Sequence, residues 1–301
     1  RRLGLARKEG LISMRFTTLK NAAVLSLGVL ALTVGAAQAH TNAVEPKEVE
    51  FTFEGPLGHF DQAQLQRGYK VYAEVCSSCH SMNLLHYRDL AMPGGPFFDP
   101  KNPKTPPAQS PYAKAIAAGY KVPDIDRDTG DAIQRTATPA DAFKAPYANN
   151  EAAAAANGGA VPPDLSVMVR AREGGARYVY SILTGYVDPP KGLTVPAGKY
   201  YNPYMAGDLG SYWTGPKDQV PKGGFIAMPF QLTADRVSFD DKTPSTSEQE
   251  AKDVSTFLAW AADPHQTERK ETGVAVLAYL LILAGVTYGA YRQVWRNVDH
   301  G

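Results

Sequence analysis

A chain of 301 residues, 44% of them hydrophobic, has apolar material for one large core or two small ones and is not a disordered chain. Its formal charge of +1 is unevenly spread: the first 39 residues carry +5 from Arg1, Arg2, Arg7, Lys8, Arg15 and Lys20 against Glu9, and residues 40–265 carry about −5. An acidic body serves solubility or steers a basic partner, so no nucleic-acid partner is expected, and two cysteines, Cys76 and Cys79, are too few for a secreted disulfide framework.

At the N-terminus, Arg15 and Lys20 flank the start of an apolar run over residues 22–34, which ends in small residues at Ala37 and Ala39. This pattern predicts a signal peptide over residues 14–39, cut before His40. The run is short for a hydrocarbon core of about 30 Å, which disfavours a first transmembrane helix. Residues 1–13 read as an upstream segment ahead of the natural start and are excluded from the fold.

Residues 40–268 form the expected periplasmic domain. The segment is rich in glycine and proline, with irregular stretches over 93–111 and 188–229, and it predicts short helices separated by loops. Helices are expected over 61–79, 175–184 and 246–262. In the first, Leu65, Tyr69 and Tyr72 recur at helical spacing, and Thr246 suits an N-cap with Gln249 three residues on. No sustained alternation marks a sheet, and the alanine run over 152–156 fits a helix or a small-residue loop equally well. Residues 273–291 contain no formal charge and as a helix span roughly 28 Å, one bilayer crossing. Tyr288, Tyr291 and Trp295 sit at its far end like interfacial aromatics, and Arg292 and Arg296 mark a cytoplasmic tail over 292–301. The export signal then places the domain outside. The expectation is a single-pass protein of a bacterial-type inner (cytoplasmic) membrane, in contact with the lipid bilayer, with its C-terminus in the cytoplasm.

The chemistry is carried by Val75-Cys76-Ser77-Ser78-Cys79-His80, which contains C-x-x-C-H, the attachment signature of c-type haem. On one helical turn the two thiols can form thioethers to the two vinyl groups while the adjacent imidazole faces the iron. A thioredoxin-like redox pair wants a βαβ context, and a zinc site wants further Cys or His ligands nearby. His80 is therefore the expected proximal ligand, and a haem built for electron transfer needs a sixth ligand, usually methionine or histidine. Met82 follows the motif too closely to cross the haem plane. Met168 resembles core packing, whereas Met92 and Met228 both remain candidates on spacing, with Pro229 stiffening the loop after Met228.

The sequence resembles cytochrome c1, the haem subunit of the cytochrome bc1 complex (ubiquinol:cytochrome c oxidoreductase), from about Val49 to the C-terminus. The resemblance rests on Arg67-Gly68-Tyr69, the haem motif, residues 157–163 leading into Asp164-Leu165-Ser166, Arg170-Ala171-Arg172-Glu173-Gly174-Gly175, Thr184-Gly185-Tyr186, Tyr201-Asn202-Pro203-Tyr204, Ala227-Met228-Pro229, and Phe257-Leu258-Ala259-Trp260-Ala261-Ala262-Asp263-Pro264. It implies one covalent haem c with iron held by His80 and Met228, a propionate met by Arg172, and a pocket lined by Asn157, Pro163 and Tyr178. It also implies the partners: cytochrome b, the Rieske iron-sulfur protein, and a soluble or membrane-bound c-type cytochrome. The chain departs from the family where Pro229 is followed by Phe230 and Gln231 rather than further prolines. The fold class expected is mostly α: a c-type cytochrome domain of short helices and long loops around one haem, plus one C-terminal transmembrane helix. The function expected is electron transfer from the Rieske protein to a c-type cytochrome, as a subunit that is not an enzyme on its own. The rivals are a membrane cytochrome serving another oxidase, and a haem enzyme or gas sensor with an open sixth site.

Overall fold

The computed structural model describes residues 42–297, so the expected signal peptide, the segment before it and the last residues of the tail lie outside the described residues. In chain order the helices are α1 (Gln62–Glu74), α2 (Pro111–Ala118), α3 (Asn150–Ala156), α4 (Gly175–Thr184), α5 (Ser247–Ala262) and α6 (Gln266–Trp295), with short 3-10 turns between them. Two antiparallel pairs complete the described residues: β1 (Lys121–Ile125) with β2 (Ala132–Thr136), and β3 (Tyr200–Asn202) with β4 (Gly224–Ile226). The mostly helical character agrees with the sequence; the two small sheets were not expected.

Helix α1 begins where the Asp61 carboxylate accepts the Gln64 amide at 2.7 Å, and it buries Leu65, Gly68, Tyr69, Val71 and Tyr72. It stops at Glu74, short of the expected residue 79, and a separate 3-10 turn, Cys76–Ser78, follows. The hydroxyls of Ser77 and Ser78 donate to the carbonyls of Ala73 and Val75 at 2.7 and 2.8 Å, occupying acceptors that a continuing helix would use. The haem motif thus sits on a tight turn at the end of α1.

Helix α5 starts at Thr246, whose hydroxyl oxygen accepts the Gln249 amide, the cap expected from sequence. It crosses α1 at Gly68 with backbone nearly touching: a Cβ there would lie 2.1 Å from the Asp253 carbonyl oxygen and 2.7 Å from the Phe257 Cβ. Beside this crossing the Arg67 guanidinium reaches Asp253 at 2.7 Å and Asp241 at 2.6 Å, and the Asp253 side chain is wholly buried. Aromatic rings fill the space on either side, with Phe257 5.7 Å from Tyr69, Tyr72 and Trp260.

The β1–β2 hairpin is exposed over nearly all its positions, so neither strand carries the one-sided apolar alternation that marks a buried face. Strands β3 and β4 hold three residues each and come together over a long connection. They cover a small core of Leu193, Tyr201 and Leu209 with Trp213 and Phe225 against it. The alanine run is resolved as helix α3, because the Asn149 side chain accepts the Ala152 amide at 2.8 Å.

Helix α6 runs for 30 residues, about 45 Å, and is the one helix among the described residues long and apolar enough to cross a membrane. The uncharged stretch 273–291 lies inside it, and none of its residues is buried against the rest of the chain.

The crossing at Gly68 gives a direct test. Gly68→Ala is expected to destabilise the domain by about 1–3 kcal/mol, because the methyl group meets backbone on the other helix; chemical denaturation followed by circular dichroism reads it, and an unchanged midpoint would mean that the crossing is looser than described.

Candidate haem site

The 3-10 turn holds the motif closed. The amides of Cys79 and His80 both donate to the Cys76 carbonyl, at 3.1 and 2.9 Å. Both cysteines are free thiols. Burial pushes the Cys76 thiol up to about 12, with Cys79 and Glu250 adding to the rise. A redox-active dithiol shows the opposite, a lowered thiol, so this environment suits cysteines that end as thioethers rather than as an exchange centre. Among the described residues no group of three or more His, Cys, Asp or Glu side chains is arranged to hold a metal ion, which weighs against the zinc alternative.

The His80 ring is fixed by one contact. Its Nδ1 lies 2.8 Å from the Pro163 carbonyl oxygen. A carbonyl only accepts, so Nδ1 carries the proton and Nε2 is left with a bare lone pair, the state a metal ligand requires. Burial holds this imidazole below its usual range, outweighing the opposite pull of the Pro163 carbonyl and of Asp164. The ring is therefore neutral at neutral pH and ready to ligate.

Pro163 is held in turn by a network that sequence reading did not single out. The Asp164 carboxylate accepts the Ser81 hydroxyl and the Asn83 amide, both at 2.8 Å, and the Ser166 amide at 2.9 Å. The Ser166 hydroxyl oxygen accepts the Leu84 amide at 3.0 Å, and the Leu165 amide donates to the Ser81 carbonyl at 2.9 Å. These bonds lash the loop after α3 to the segment just past the motif. Burial works against the Asp164 charge, but the hydrogen bonds from Ser166, Asn83 and Ser81 prevail and keep its carboxyl below the usual range. Its signal in the sequence was only its place in the stretch Asp164-Leu165-Ser166, since its partners are some 80 positions away.

The other candidates are dispersed over three loops. Met228 follows β4 by two residues and is half-buried, and its carbonyl accepts the Tyr186 hydroxyl at 2.8 Å. Phe230, where the family pattern is broken, packs its ring 5.5 Å from Tyr186. Tyr178, on the first turn of α4, directs its hydroxyl to the Met205 sulfur at 3.7 Å. Asn157 caps α3, and its amide donates to the Ala153 carbonyl and the Tyr147 hydroxyl oxygen at 2.7 and 3.1 Å. Arg172 is exposed, donates to the Ala171 carbonyl at 3.0 Å and makes no ion pair among the described residues. Its guanidinium is thus uncommitted to any carboxylate among the described residues. Met82 is fully buried in the main core, and Met92 and Met168 pack against that core. Of all the expected site residues, the structure records direct contact between His80 and Pro163 and within the cysteine turn.

The residues present fit a covalent haem. Two unpaired thiols stand beside an imidazole whose outer nitrogen is free to ligate, and an unpaired guanidinium is available for a propionate.

A family model described as the Cytochrome C1 family matches residues 51–298. The chain is 36% identical over 302 residues to a protein named cytochrome b/c1 from Bradyrhizobium diazoefficiens, covering 91% of this chain but 40% of that protein. It is 36% identical to cytochrome c1 of Rhodospirillum rubrum, over 94% of this chain and 100% of that one. It is 37% identical to a mitochondrial cytochrome b-c1 complex catalytic subunit of Candida albicans, over 89% of this chain and 84% of that one.

The Asp164 network predicts an acid-sensitive loop. Because the folded carboxyl is held below its unfolded value of about 3.9, its stabilisation is complete above that pH and is lost as pH falls through the folded value. Asp164→Asn is expected to cost about 1 kcal/mol near neutral pH, with the gap from the parent closing in acid; denaturation midpoints across a pH series read both, and a gap that persists in acid would contradict the assignment.

Proposed function

Since the chain belongs to the cytochrome c1 family, we propose that it is the membrane-anchored electron-transfer subunit of a cytochrome bc1 complex that passes electrons from a Rieske iron-sulfur protein to a c-type cytochrome. Cytochrome c1 proteins carry covalently bound haem c with histidine and methionine ligation, and in the complex they are electron-transfer subunits rather than enzymes on their own. The observation that carries the reading is the C-x-x-C-H turn with its imidazole locked to the Pro163 carbonyl.

The haem, when bound, supplies a one-electron iron couple. In this reading Cys76 and Cys79 tether it, and His80 presents Nε2 to the iron because Nδ1 is occupied. Met228 would supply its thioether as the second iron ligand, and the Tyr186 hydroxyl restrains this loop through the Met228 backbone carbonyl. A thioether favours the reduced iron, so this pair raises the potential above that of two imidazoles. Arg172 would meet a propionate with a guanidinium that no carboxylate among the described residues occupies. Asn157, Pro163 and Tyr178 line the pocket and exclude water, with Asn157 and Tyr178 already satisfied by internal hydrogen bonds. Residues 14–39 serve as the export signal, 40–268 as the periplasmic domain, 273–291 as the single-pass anchor against cytochrome b, and the residues beyond as a cytoplasmic tail.

Met228→Leu tests the axial assignment. The variant is expected to keep covalent haem, lose the methionine-to-iron charge-transfer band and shift toward a high-spin spectrum, and Tyr186→Phe is expected to keep the band while admitting added imidazole several-fold faster. A Met228→Leu spectrum identical to the parent would place the sixth ligand elsewhere, with Met92 next.

The acidic body supports steering of a basic acceptor. The bimolecular rate with a basic soluble cytochrome is expected to fall about tenfold as ionic strength rises from roughly 0.01 M to 0.15 M; a flat profile would remove steering while leaving the ligand assignment untouched.

A further inference from the structure

The base of α6 is tied to the domain at two points. Asp263, just past the end of α5, pairs with both arms of the Arg269 guanidinium, one of them at 2.7 Å, and Arg170 approaches the same carboxylate at 3.7 Å. One residue on, the Lys270 ammonium donates to the carbonyl of Phe53 at 2.6 Å and to that of Gly58 at 3.3 Å. Lys270 lies three residues before the uncharged stretch, about 4.5 Å along the axis. The turn over residues 54–58 therefore sits at the depth where the apolar helix begins.

That turn is built rather than loose. Phe51 and Phe53 are buried, with Phe53 4.8 Å from Phe60, and the His59 amide donates to the Thr52 carbonyl at 3.1 Å. Gly55 has φ +73°, and a Cβ on Gly58 would lie 1.9 Å from the Glu54 carbonyl oxygen, so both glycines are required. Glu54, the charged residue of the turn, pairs with Arg177 at 2.7 Å. What this scaffold presents is Pro56-Leu57, and Leu57 is 77% exposed, as much as Leu281 at 75% in the middle of α6. A built turn that presents a proline and a bare leucine, pinned by a lysine beside an apolar span, has the chemistry of an interfacial anchor.

We infer that the turn over residues 54–58 inserts Pro56 and Leu57 into the headgroup region of the bilayer, so that the haem domain touches lipid at a second point beside its helical anchor. The inference rests on the membrane-anchor reading of α6. Its occupant is lipid rather than another subunit because the tip is continuous with the apolar helix through Lys270 and the turn's own charge, Glu54, is already paired with Arg177.

The test uses the assembled complex in phosphatidylcholine and phosphatidylglycerol vesicles. Leu57→Cys, Leu281→Cys and Ile125→Cys are each labelled with a nitroxide; Cys76 and Cys79, consumed as thioethers, do not react. Electron paramagnetic resonance power saturation then compares relaxation by oxygen, which concentrates in lipid, with relaxation by a water-soluble nickel chelate. The Leu57 label is expected to favour oxygen over nickel at least threefold more than the Ile125 label, though less than the Leu281 label. A Leu57 label as open to nickel as the Ile125 label puts the turn in water and overturns the inference, and one shielded from both reagents puts it under another subunit and overturns it as well. If the Leu281 label itself shows no lipid signature, the anchor reading falls, and the inference falls with it for that separate reason.

Discussion

Everything in the domain is referred to the point where α1 and α5 cross. At Gly68 the two backbones approach too closely for any side chain, and the Arg67–Asp253 pair closes the same contact from the polar side. A buried carboxylate is costly unless it is paired and hydrogen-bonded, and Asp253 is both, taking Arg67 at 2.7 Å and the Gln249 amide at 2.8 Å. The crossing fixes the direction of α1, and the tight turn at its end fixes where two thiols and an imidazole emerge. It also fixes α5, which passes after three residues into the base of α6. One helix pair thus sets the positions of both the cofactor attachment and the membrane helix.

The remaining haem contacts depend on hydrogen bonds more than on packing. The Pro163 loop is held by the Asp164 carboxylate, and the Met228 loop is held by the Tyr186 hydroxyl and the short β3–β4 pair. Such loops carry few apolar side chains of their own, so polar anchors decide their shape. Phe230, which follows Pro229 in the Met228 loop, packs its ring on that of Tyr186, the residue whose hydroxyl holds the Met228 carbonyl. The two proposed ligands are therefore both positioned through backbone carbonyls: that of Pro163 for His80 and that of Met228 for the methionine loop.

The turn that brings Cys76, Cys79 and His80 together was the most legible part of the proposed site, because these residues lie within five positions of one another and their spacing is itself the pattern. Helix α5 was legible from its cap, the body of α1 from its period and α4 over its full expected span, and α3 could have been read from Asn149, whose side chain sits three residues before the amide it caps. The end of α1 was not, since Ser77 and Ser78 stop it through bonds to carbonyls that any helix offers. Strands β1 and β2 were invisible because a hairpin exposed on both faces has no apolar period to show. Asp164 and Tyr186 were quoted only as members of recurring stretches. Their roles lie in contacts with residues about 80 and 42 positions away, which no local pattern encodes.

Two carboxyls, one fully and one partly buried, respond to pH in opposite directions. Glu250 stands one turn before Asp253 on α5, fully buried, with one oxygen bonded to Ser245 and Val237 and the other without a partner. Burial drives its pKa up, and the hydrogen bonds from Ser245 and Val237 only partly oppose this. The folded state therefore holds this proton more tightly than the unfolded chain does. The stability it contributes is complete below the unfolded value of about 4.3 and is lost as pH rises through the folded value. Asp164 behaves in reverse, contributing above its unfolded value and losing that contribution in acid. The loop that positions His80 is thus weakened from the acid side, whereas the start of α5 is weakened from the alkaline side. The acid-side loss falls on the loop that fixes the His80 ring and the alkaline-side loss on the N-terminal part of α5, so the two pH limits act on different elements.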